Sequence, residues 1–246
     1  MRPLIAGNWK MNTLRADGSA LVVGLIEQRA VEDPGCDILL CPPFVSLGLI
    51  GDIIAGSPIL LGAQDCHKEE SGAYTGSISA PMLSDAGCGF VIVGHSERRA
   101  QYNETDVLVS EKARAAHENA LVSIVCVGET LVDRDADDTL SVVEEQLLGS
   151  VPKSANAKNT VIAYEPVWAI GTGKTPKTIQ IREVHNHLRM LLENNFADGN
   201  EFRILYGGSM NSANAGEILS IKNVNGGLVG GASLTVKDFW GICTSL

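Results

Sequence analysis

The sequence lacks the features that mark several classes of protein. Its six cysteines include no C-x-x-C pair, and no apolar run approaches the ~18 residues of a membrane-spanning helix. There is no basic run, and 29 acidic residues outweigh 19 basic ones for a net charge of −10. These absences argue against a disulfide framework and a membrane protein, and they disfavour a nucleic-acid partner.

The cysteines and the N-terminus predict a cytoplasmic protein. The neighbours of the cysteines are mostly apolar, which favours buried free thiols in a reducing compartment. These cysteines are Cys36, Cys41, Cys66, Cys88, Cys126 and Cys243. The polar residues Asn8 and Lys10 come too early for the apolar region of a secretory signal.

Apolar, β-rich runs alternate with helical patterns along the chain. The runs are Leu4–Ala6, Ile38–Cys41, Ile59–Gly62, Phe90–Val93, Val122–Val127, Thr160–Tyr164, Arg203–Tyr206 and Gly227–Val229. Asp106–Glu118 and Lys177–Asn195 have helical periodicity, and we expect Ile179 on the apolar side of the second. Apolar strands separated by amphipathic helices indicate a parallel sheet covered by helices. Eight strands in 246 residues, with no linker, predict a single-domain (β/α)8 barrel, the TIM-barrel fold, over residues 1–246.

The segment Tyr164–Thr175 is unusual for a loop. Glu165 closes a β-branched apolar run, and Pro166 follows it at once. The middle of the loop is the apolar trio Trp168–Ile170, with glycines just after it. This pattern suits a flap that closes over a ligand, with a general base at its hinge. A buried structural glutamate beside a packed loop is the alternative.

Polar residues whose side chains can take part in catalysis or binding follow several of the predicted strands. Asn8 and Lys10 follow the first, and His95, Ser96 and Glu97 follow the fourth. In an α/β barrel, catalytic groups cluster at the C-terminal ends of the strands. Each residue also has an ordinary interpretation, such as a solvated lysine, a packed histidine or a helix start at Ser96. Their repeated placement at strand ends favours a shared site.

Glycine pairs follow the last two strands. Gly207-Gly208-Ser209 and Gly230-Gly231 precede helical segments that we expect to begin near Ser212 and Leu234. Exposed backbone N–H groups at a helix start bind anions without a basic side chain. The loops after strands 7 and 8 are the usual phosphate site of this fold, so an acidic protein can still bind phosphate. Tight turning alone is the other explanation.

Rival motifs do not fit the sequence. Gly173-Lys174-Thr175 resembles the end of a P-loop, but Trp168 stands where that motif needs glycine. Gly94–Arg98 begins like a nucleophile elbow, yet its fifth residue is arginine. His185 and His187 are two apart on a helix and cannot share a metal. We therefore expect no metal site at these histidines.

A set of motifs resembles the triosephosphate isomerase family from end to end. The motifs are GNWKMN at Gly7–Asn12, GHSERR at Gly94–Arg99, CVGE at Cys126–Glu129, YEPVWAIGTGKT at Tyr164–Thr175, YGGS at Tyr206–Ser209 and GGLVGGASL at Gly226–Leu234. The resemblance implies interconversion of dihydroxyacetone phosphate and D-glyceraldehyde 3-phosphate, in glycolysis and gluconeogenesis and without a cofactor. Another phosphate-binding barrel enzyme, or a non-catalytic protein that keeps the fold, is the alternative.

The resemblance also implies a role for individual residues. Glu165 is implied as the base, His95 as a neutral electrophile at a helix N-terminus, and Lys10 as fixed positive charge. Asn8 is implied to orient the substrate. Backbone phosphate binding is implied at Gly171, Ser209, Gly230 and Gly231. Ser96, Glu97 and Cys126 are implied beside the catalytic groups, with Glu97 ordering Lys10.

Two further segments are implied by the resemblance. The lid consists of Pro166, Val167, Trp168, Ala169, Ile170, Gly171, Thr172, Gly173, Lys174 and Thr175. Gln64–Ser79 is implied to project into a second subunit of a homodimer, with Thr75 at its tip. The chain departs from the family pattern here, because Asp65 stands where asparagine is usual and Ser77 where glutamate is frequent.

Overall fold

A computed structural model describes residues 1–170 and 176–246, and its centre is a closed barrel of parallel strands in the order β1 to β8. The strands are β1 Leu4–Asn8, β2 Asp37–Cys41, β3 Leu60–Ala63, β4 Phe90–Val93, β5 Val122–Val127, β6 Thr160–Tyr164, β7 Arg203–Tyr206 and β8 Gly226–Val229. β1 pairs with both β2 and β8, which closes the sheet. The predicted barrel is confirmed, and each strand lies within two residues of its predicted bounds.

Helices connect the strands and cover the outside of the barrel. Within the described residues they are α1 Arg15–Val31, α2 Leu47–Ile54, α3 Ala80–Asp85, α4 Ser96–Tyr102, α5 Asp106–Glu118, α6 Leu131–Asp135, α7 Thr139–Ser150, α8 Thr178–Asn195, α9 Ala215–Leu219 and α10 Val236–Cys243. Short 3₁₀ turns lie at Phe44–Ser46, Val167–Ala169, Gly199–Glu201 and Gly231–Leu234. Because every described strand runs in the same direction, the C-terminal ends of all eight form one rim.

Apolar side chains fill two layers, as alternation along buried strands requires. One layer fills the barrel lumen and includes Ala6, Ile124 and Ala163. The other lies between the strands and the helices and includes Leu25 and Leu188. The six cysteines are all buried and unpaired, as predicted.

Two local predictions were wrong. Ile179 is 61% exposed, because the buried stripe of α8 begins at Ile181, about 200° farther around the helix. The helix predicted near Ser212 begins at Ala215. The helical segment predicted to begin near Leu234 is α10, which begins two residues later at Val236, after the 3₁₀ turn Gly231–Leu234. Tertiary packing decides which face of α8 is buried, and a turn at residues 212–214 delays the start of α9. Neither effect appears as a periodic pattern in the sequence.

His185 gives the fold a dependence on pH. Its ring is fully buried on α8, with Nδ1 3.0 Å from the carbonyl oxygen of Asn223 and an edge against Tyr164. Burial lowers the pKa of His185 from 6.5 to about 4. As the pH falls, His185 is protonated in the unfolded chain before it is protonated in the folded protein. The neutral buried ring therefore stabilises the folded protein fully above pH 6.5, and this stabilisation is lost as the pH falls through about 4.

We expect acidification from pH 7 to pH 4 to cost the protein about 3 kcal/mol through His185 alone. A His185→Gln variant should lose this part of the pH dependence in urea unfolding. His187→Gln is the matched control, because His187 lies on the same helix and pairs with Glu144 at 3.2 Å. Parallel stability curves for the His185 variant and the parent protein would contradict the assignment.

Candidate active site

The barrel brings the predicted catalytic side chains together at one rim. Asn8 is the last residue of β1, His95 follows β4 by two residues, and Glu165 directly follows β6. All three are buried, with exposed fractions of 5%, 6% and 1%. Strands far apart in sequence therefore deliver an amide, an imidazole and a carboxylate to one site.

Glu165 makes three hydrogen bonds across the rim. Its carboxylate accepts from the Ser96 backbone N–H at 2.9 Å and from the Ser96 hydroxyl at 3.3 Å. Oε1 lies 2.9 Å from Nε2 of His95. This places the predicted base and the predicted electrophile in direct contact.

The surroundings of Glu165 keep it ionised. Burial raises its pKa, but His95 and the Ser96 amide outweigh burial and lower the pKa below the usual 4.5. A carboxylate in this state is available at neutral pH to accept a proton. The residue is therefore in the form that a general base needs.

The hydrogen bonds of His95 assign its tautomer. Nδ1 accepts from the backbone N–H of Glu97 at 3.2 Å, at the start of α4, so this nitrogen carries no proton. Nε2 then holds the N–H that donates to Glu165. Burial lowers the pKa of His95, whereas Glu165 raises it, and the net direction is upward from 6.5. The upward influence comes mainly from Glu165, so it weakens wherever a ligand separates the two side chains.

Lys10 is held in a restricted conformation at the same rim. Its φ of 52° is in the left-handed region, which is uncommon for a non-glycine residue. Its backbone N–H donates to Oδ1 of Asn8 at 3.0 Å, and its carbonyl accepts from the side chain of Gln64 at 2.9 Å. Nζ lies 2.5 Å from Oε1 of Glu97. The expected Lys10–Glu97 contact is present, whereas the hold by Gln64 had no signal in the sequence.

The predicted phosphate residues border these groups. A side chain at Gly230 would begin 3.4 Å from Cε of Lys10, so the loop after β8 lies beside the ammonium group. Ser209, after β7, donates its hydroxyl to the carbonyl of Ala169 at 2.7 Å. Gly231 begins the 3₁₀ turn. The loops after β7 and β8 therefore face the catalytic groups, while Gly171 lies outside the described residues.

Two glycines make room for Glu165. A Cβ atom at Gly207 would lie 2.9 Å from Cγ of Glu165, and one at Gly128 would overlap the Glu165 carbonyl oxygen. Both glycines follow strands directly. No side chain fits at either position because Glu165, at the end of β6, lies against both glycines. Gly128 was not among the predicted site residues.

Glu129 anchors the described part of the lid. Its buried carboxylate accepts from the indole N–H of Trp168 at 2.8 Å and from the hydroxyl of Tyr164 at 3.1 Å. Its carbonyl accepts from the backbone N–H of Val167 at 3.1 Å. In the sequence, Glu129 stood out only as the last residue of the CVGE motif. The described lid residues are Pro166, Val167, Trp168, Ala169 and Ile170; the predicted lid residues Gly171, Thr172, Gly173, Lys174 and Thr175 lie outside the description.

Cys126 lies in the barrel lumen beside the site. It is fully buried, and burial followed by the charge of Glu165 raises the pKa of its thiol well above 9.0. The thiol therefore stays protonated beside the carboxylate. This agrees with a packing position next to Glu165 and gives Cys126 no nucleophilic character.

The segment Gln64–Ser79 forms a projecting loop. Its base is closed by a hydrogen bond of 2.7 Å from the N–H of His67 to the carbonyl of Ile78, and Thr75 is exposed. Asp65 lies 2.8 Å from Arg98 and 2.7 Å from Lys112, so its extra charge has two cationic partners. The departure at Asp65 therefore fits the structure. Nothing in the structure explains the departure at Ser77.

Two features do not occur in residues 1–170 and 176–246. No cluster of three His, Cys, Asp or Glu side chains is placed there to hold a metal ion. None of the helices in those ranges combines the length and the apolar character needed to cross a bilayer.

The sequence and the fold are similar to known proteins. The family model described as triosephosphate isomerase matches residues 3–246. A triosephosphate isomerase of Afipia carboxidovorans is 52% identical, covering 98% of this chain and 96% of that protein. One from Rhodopirellula baltica is 51% identical over 98% and 96%. A crystal structure of the Bartonella henselae enzyme superposes with a TM-score of 0.92 at 43% identity, covering 100% and 99%.

Proposed function

Because this chain belongs to the triosephosphate isomerase family, we propose that Lys10, His95 and Glu165 catalyse its reaction, the interconversion of dihydroxyacetone phosphate and D-glyceraldehyde 3-phosphate. The reaction belongs to glycolysis and gluconeogenesis, and we propose that it needs no cofactor. The observation that carries the assignment is the contact of 2.9 Å between an ionised buried carboxylate and a ring N–H, with an ammonium group on the same rim.

Glu165 moves the proton. Its carboxylate removes a proton from the carbon beside the substrate carbonyl, which leaves an enediolate. It then returns the proton to the neighbouring carbon, so the carbonyl and hydroxyl groups exchange places. A positioned base contributes roughly 10²–10⁴-fold to the rate.

His95 and Lys10 stabilise the charge that develops on oxygen. With substrate bound, the substrate oxygen replaces Glu165 as acceptor of the His95 Nε2–H. The bond that Nδ1 accepts from Glu97 keeps the N–H on Nε2, facing the site. The ammonium group of Lys10 adds positive charge near both the enediolate and the phosphate. Asn8 orients substrate by holding the Lys10 backbone, which its bond of 3.0 Å supports.

The phosphate binds through backbone N–H groups of Gly171, Ser209, Gly230 and Gly231. The proximity of Gly230 to Lys10 supports this placement, since one ligand can then meet both groups. Oriented N–H groups also explain how a protein of net charge −10 binds an anionic substrate.

The lid, Pro166–Thr175, closes over the substrate. An enediolate beside a phosphate can eliminate that phosphate, so the intermediate must be held and shielded from water. The contacts from Glu129 to Trp168 and from Ser209 to Ala169 support an anchored first half of this lid. Binding of the phosphate by Gly171 then couples the non-reacting end of the substrate to closure.

Deletion of residues 169–173 should lower turnover and raise the inorganic phosphate released for each substrate consumed. The enediolate would then leave before the proton is returned. Phosphate is measured colorimetrically beside the isomerase rate, with Ser209→Ala as a control that loses only one lid contact. Phosphate release equal to that of the intact protein would contradict the protective role.

The isomerase assay is the direct test of the proposed function. The purified protein is incubated with D-glyceraldehyde 3-phosphate. The dihydroxyacetone phosphate that forms is measured by the oxidation of NADH in a coupled reaction with glycerol-3-phosphate dehydrogenase. We expect turnover far above that of a Glu165→Gln variant. Equal rates for the protein and its Glu165→Gln variant would refute the proposed function.

A homodimer is the second part of the proposal. Apolar side chains are exposed on loops that follow the adjacent strands β1, β2 and β3: Met11 is 95% exposed, Val45 89%, Phe44 51% and Tyr74 45%. The Thr75 loop projects from the same edge. Neighbouring apolar groups beside a projecting loop suit a second copy of the chain.

Thr75→Arg should weaken this dimer by about 10²-fold or more, because a buried unpaired charge costs several kcal/mol. Light scattering at falling protein concentration measures the change, and activity should fall with the dimer. Val107→Arg is the matched control, since Val107 is 68% exposed on α5. A fully active monomer would overturn the proposal.

We also propose a cytoplasmic location. Six free, buried thiols in the chain support a reducing compartment.

A further inference from the structure

Cys36 and Cys243 lie together at the end of the barrel opposite to the catalytic rim. Cys36 directly precedes β2, and Cys243 is the last residue of α10. The Cys36 thiol donates to the carbonyl oxygen of Cys243 at 3.6 Å, although the residues are 207 positions apart. Both are buried, and the proposed function uses neither.

The surroundings make the two thiols unequal. A hydrogen bond from the Cys243 thiol is the main influence that lowers the pKa of Cys36, opposed by burial and assisted by Arg2. The same contact with Cys36, together with burial, raises the pKa of Cys243. The carboxylates of Asp37 and Asp33 oppose thiolate formation at Cys36. Cys36 is thus the more acidic thiol, and Cys243 is its protonated neighbour.

A cleft lies beside Cys36, which is itself 2% exposed. The volume of the cleft is about 270 Å³, and its lining includes Arg2, Arg29 and Cys36. Arg2 donates to the Cys36 carbonyl at 3.0 Å, which fixes a guanidinium at the backbone of this residue. A residue with an acidic thiol that lines a cleft, with a second thiol in contact, shares two features with redox-active cysteine pairs: a lowered pKa and a resolving partner.

We propose that Cys36 and Cys243 form a reversible disulfide when the protein meets hydrogen peroxide. The Cys36 thiolate attacks one peroxide oxygen, the O–O bond breaks, and with one proton the products are a sulfenic acid and water. The Cys243 sulfur then attacks the Cys36 sulfur, and the hydroxyl leaves as a second water. In sum, two thiols are oxidised and one peroxide is reduced to two waters.

The remaining cysteines lack this combination. Burial raises the pKa of Cys66 to about 12 and that of Cys88 to about 11, and it also raises those of Cys41 and Cys126. Protonated buried thiols react slowly with peroxide. Cys36 differs from these four by its lowered pKa and its place on the cleft, so oxidation begins there, and Cys243 is the cysteine that it contacts.

The disulfide strengthens the fold and leaves the site intact. It links the start of β2 to the end of α10, which packs on β1 and begins just after the Gly231–Leu234 turn. A cross-link across 207 positions closes a long loop, and such bonds stabilise mainly by restricting the unfolded chain. Lys10, His95 and Glu165 lie at the other rim, so isomerase activity persists in the oxidised protein.

The test treats the whole folded protein with hydrogen peroxide in steps, quenches with acid and N-ethylmaleimide, and maps the peptides by mass spectrometry. We expect one Cys36–Cys243 cross-linked peptide, two hydrogens lighter than the separate peptides, which dithiothreitol converts back. The melting temperature should rise by about 4–16 °C in the oxidised form. Activity at 25 °C should stay within twofold.

Variants supply the controls. Cys36→Ser and Cys243→Ser should each abolish the cross-link and the rise in melting temperature, while Cys88→Ser should keep both. Even if a variant folds poorly, the peptide map of the unaltered protein still shows which two cysteines are cross-linked. The proposal is overturned if Cys36 accumulates sulfinic acid with Cys243 free, if another pair is linked, or if no cysteine reacts at peroxide levels that oxidise the urea-unfolded chain.

Discussion

Replacement of Glu165 by glutamine should lower kcat by about 10²–10⁴-fold and change KM little. The amide cannot accept the substrate proton, yet it has nearly the same size as the carboxylate. The phosphate-binding groups and Lys10 remain, so substrate still binds. Loss confined to kcat identifies a group that acts in the transition state and not in binding.

Glu129→Gln is the matched control for this variant. Glu129 is also a fully buried carboxylate near the rim, but it contacts Trp168 and Tyr164 instead of His95. We expect its kcat to fall far less, and circular dichroism should show both variants folded. If the two variants lost activity equally, a general structural effect would explain the result and Glu165 would not be the base.

Replacement of Lys10 by methionine should lower kcat/KM by about 10²–10³-fold and affect both constants. A preorganised donor at developing charge contributes roughly 2.7–4 kcal/mol, which corresponds to this range. KM should rise because the ammonium also faces the phosphate loop at Gly230. Methionine keeps the length of the side chain, and Asn8 and Gln64 still hold the backbone.

Two variants separate this effect from a change in overall charge. Lys158→Met removes an equal charge from an exposed residue just before β6, at the opposite end of the barrel, and should leave the kinetics unchanged. Glu97→Gln keeps the ammonium but weakens its positioning, so its loss should be smaller than that of Lys10→Met. A Lys10→Met protein with a normal KM would show that the ammonium does not contact the phosphate.

Local sequence patterns were sufficient for the barrel. Eight apolar strands and the spacing of helical residues predicted the topology, because burial on both faces of a parallel sheet leaves a continuous apolar run. The placement of Glu165, His95 and Lys10 at strand ends followed from the same reasoning. Ile179 shows the limit, since the apolar side of α8 was judged from residue type and the structure leaves that side chain exposed.

The contacts that tune these residues depend on three-dimensional proximity. Ser96 and Glu165 are 69 positions apart, and Lys10 and Glu97 are 87 apart, yet each pair is hydrogen-bonded. The hydrogen bonds from Gln64 to Lys10 and from Trp168 to Glu129 likewise join residues that follow different strands. No periodicity or spacing encodes such distances.

The sequence by itself determined the barrel, the strand-end positions of the proposed catalytic groups and the family of the chain, because these depend on residue type and order. Only the tertiary structure decided which side chains meet: the ionised state of Glu165, the tautomer of His95, the space left at Gly128 and the pairing of Cys36 with Cys243. The physical reason is that protonation, packing and thiol reactivity depend on neighbours within a few ångströms, and barrel closure supplies those neighbours from distant parts of the chain.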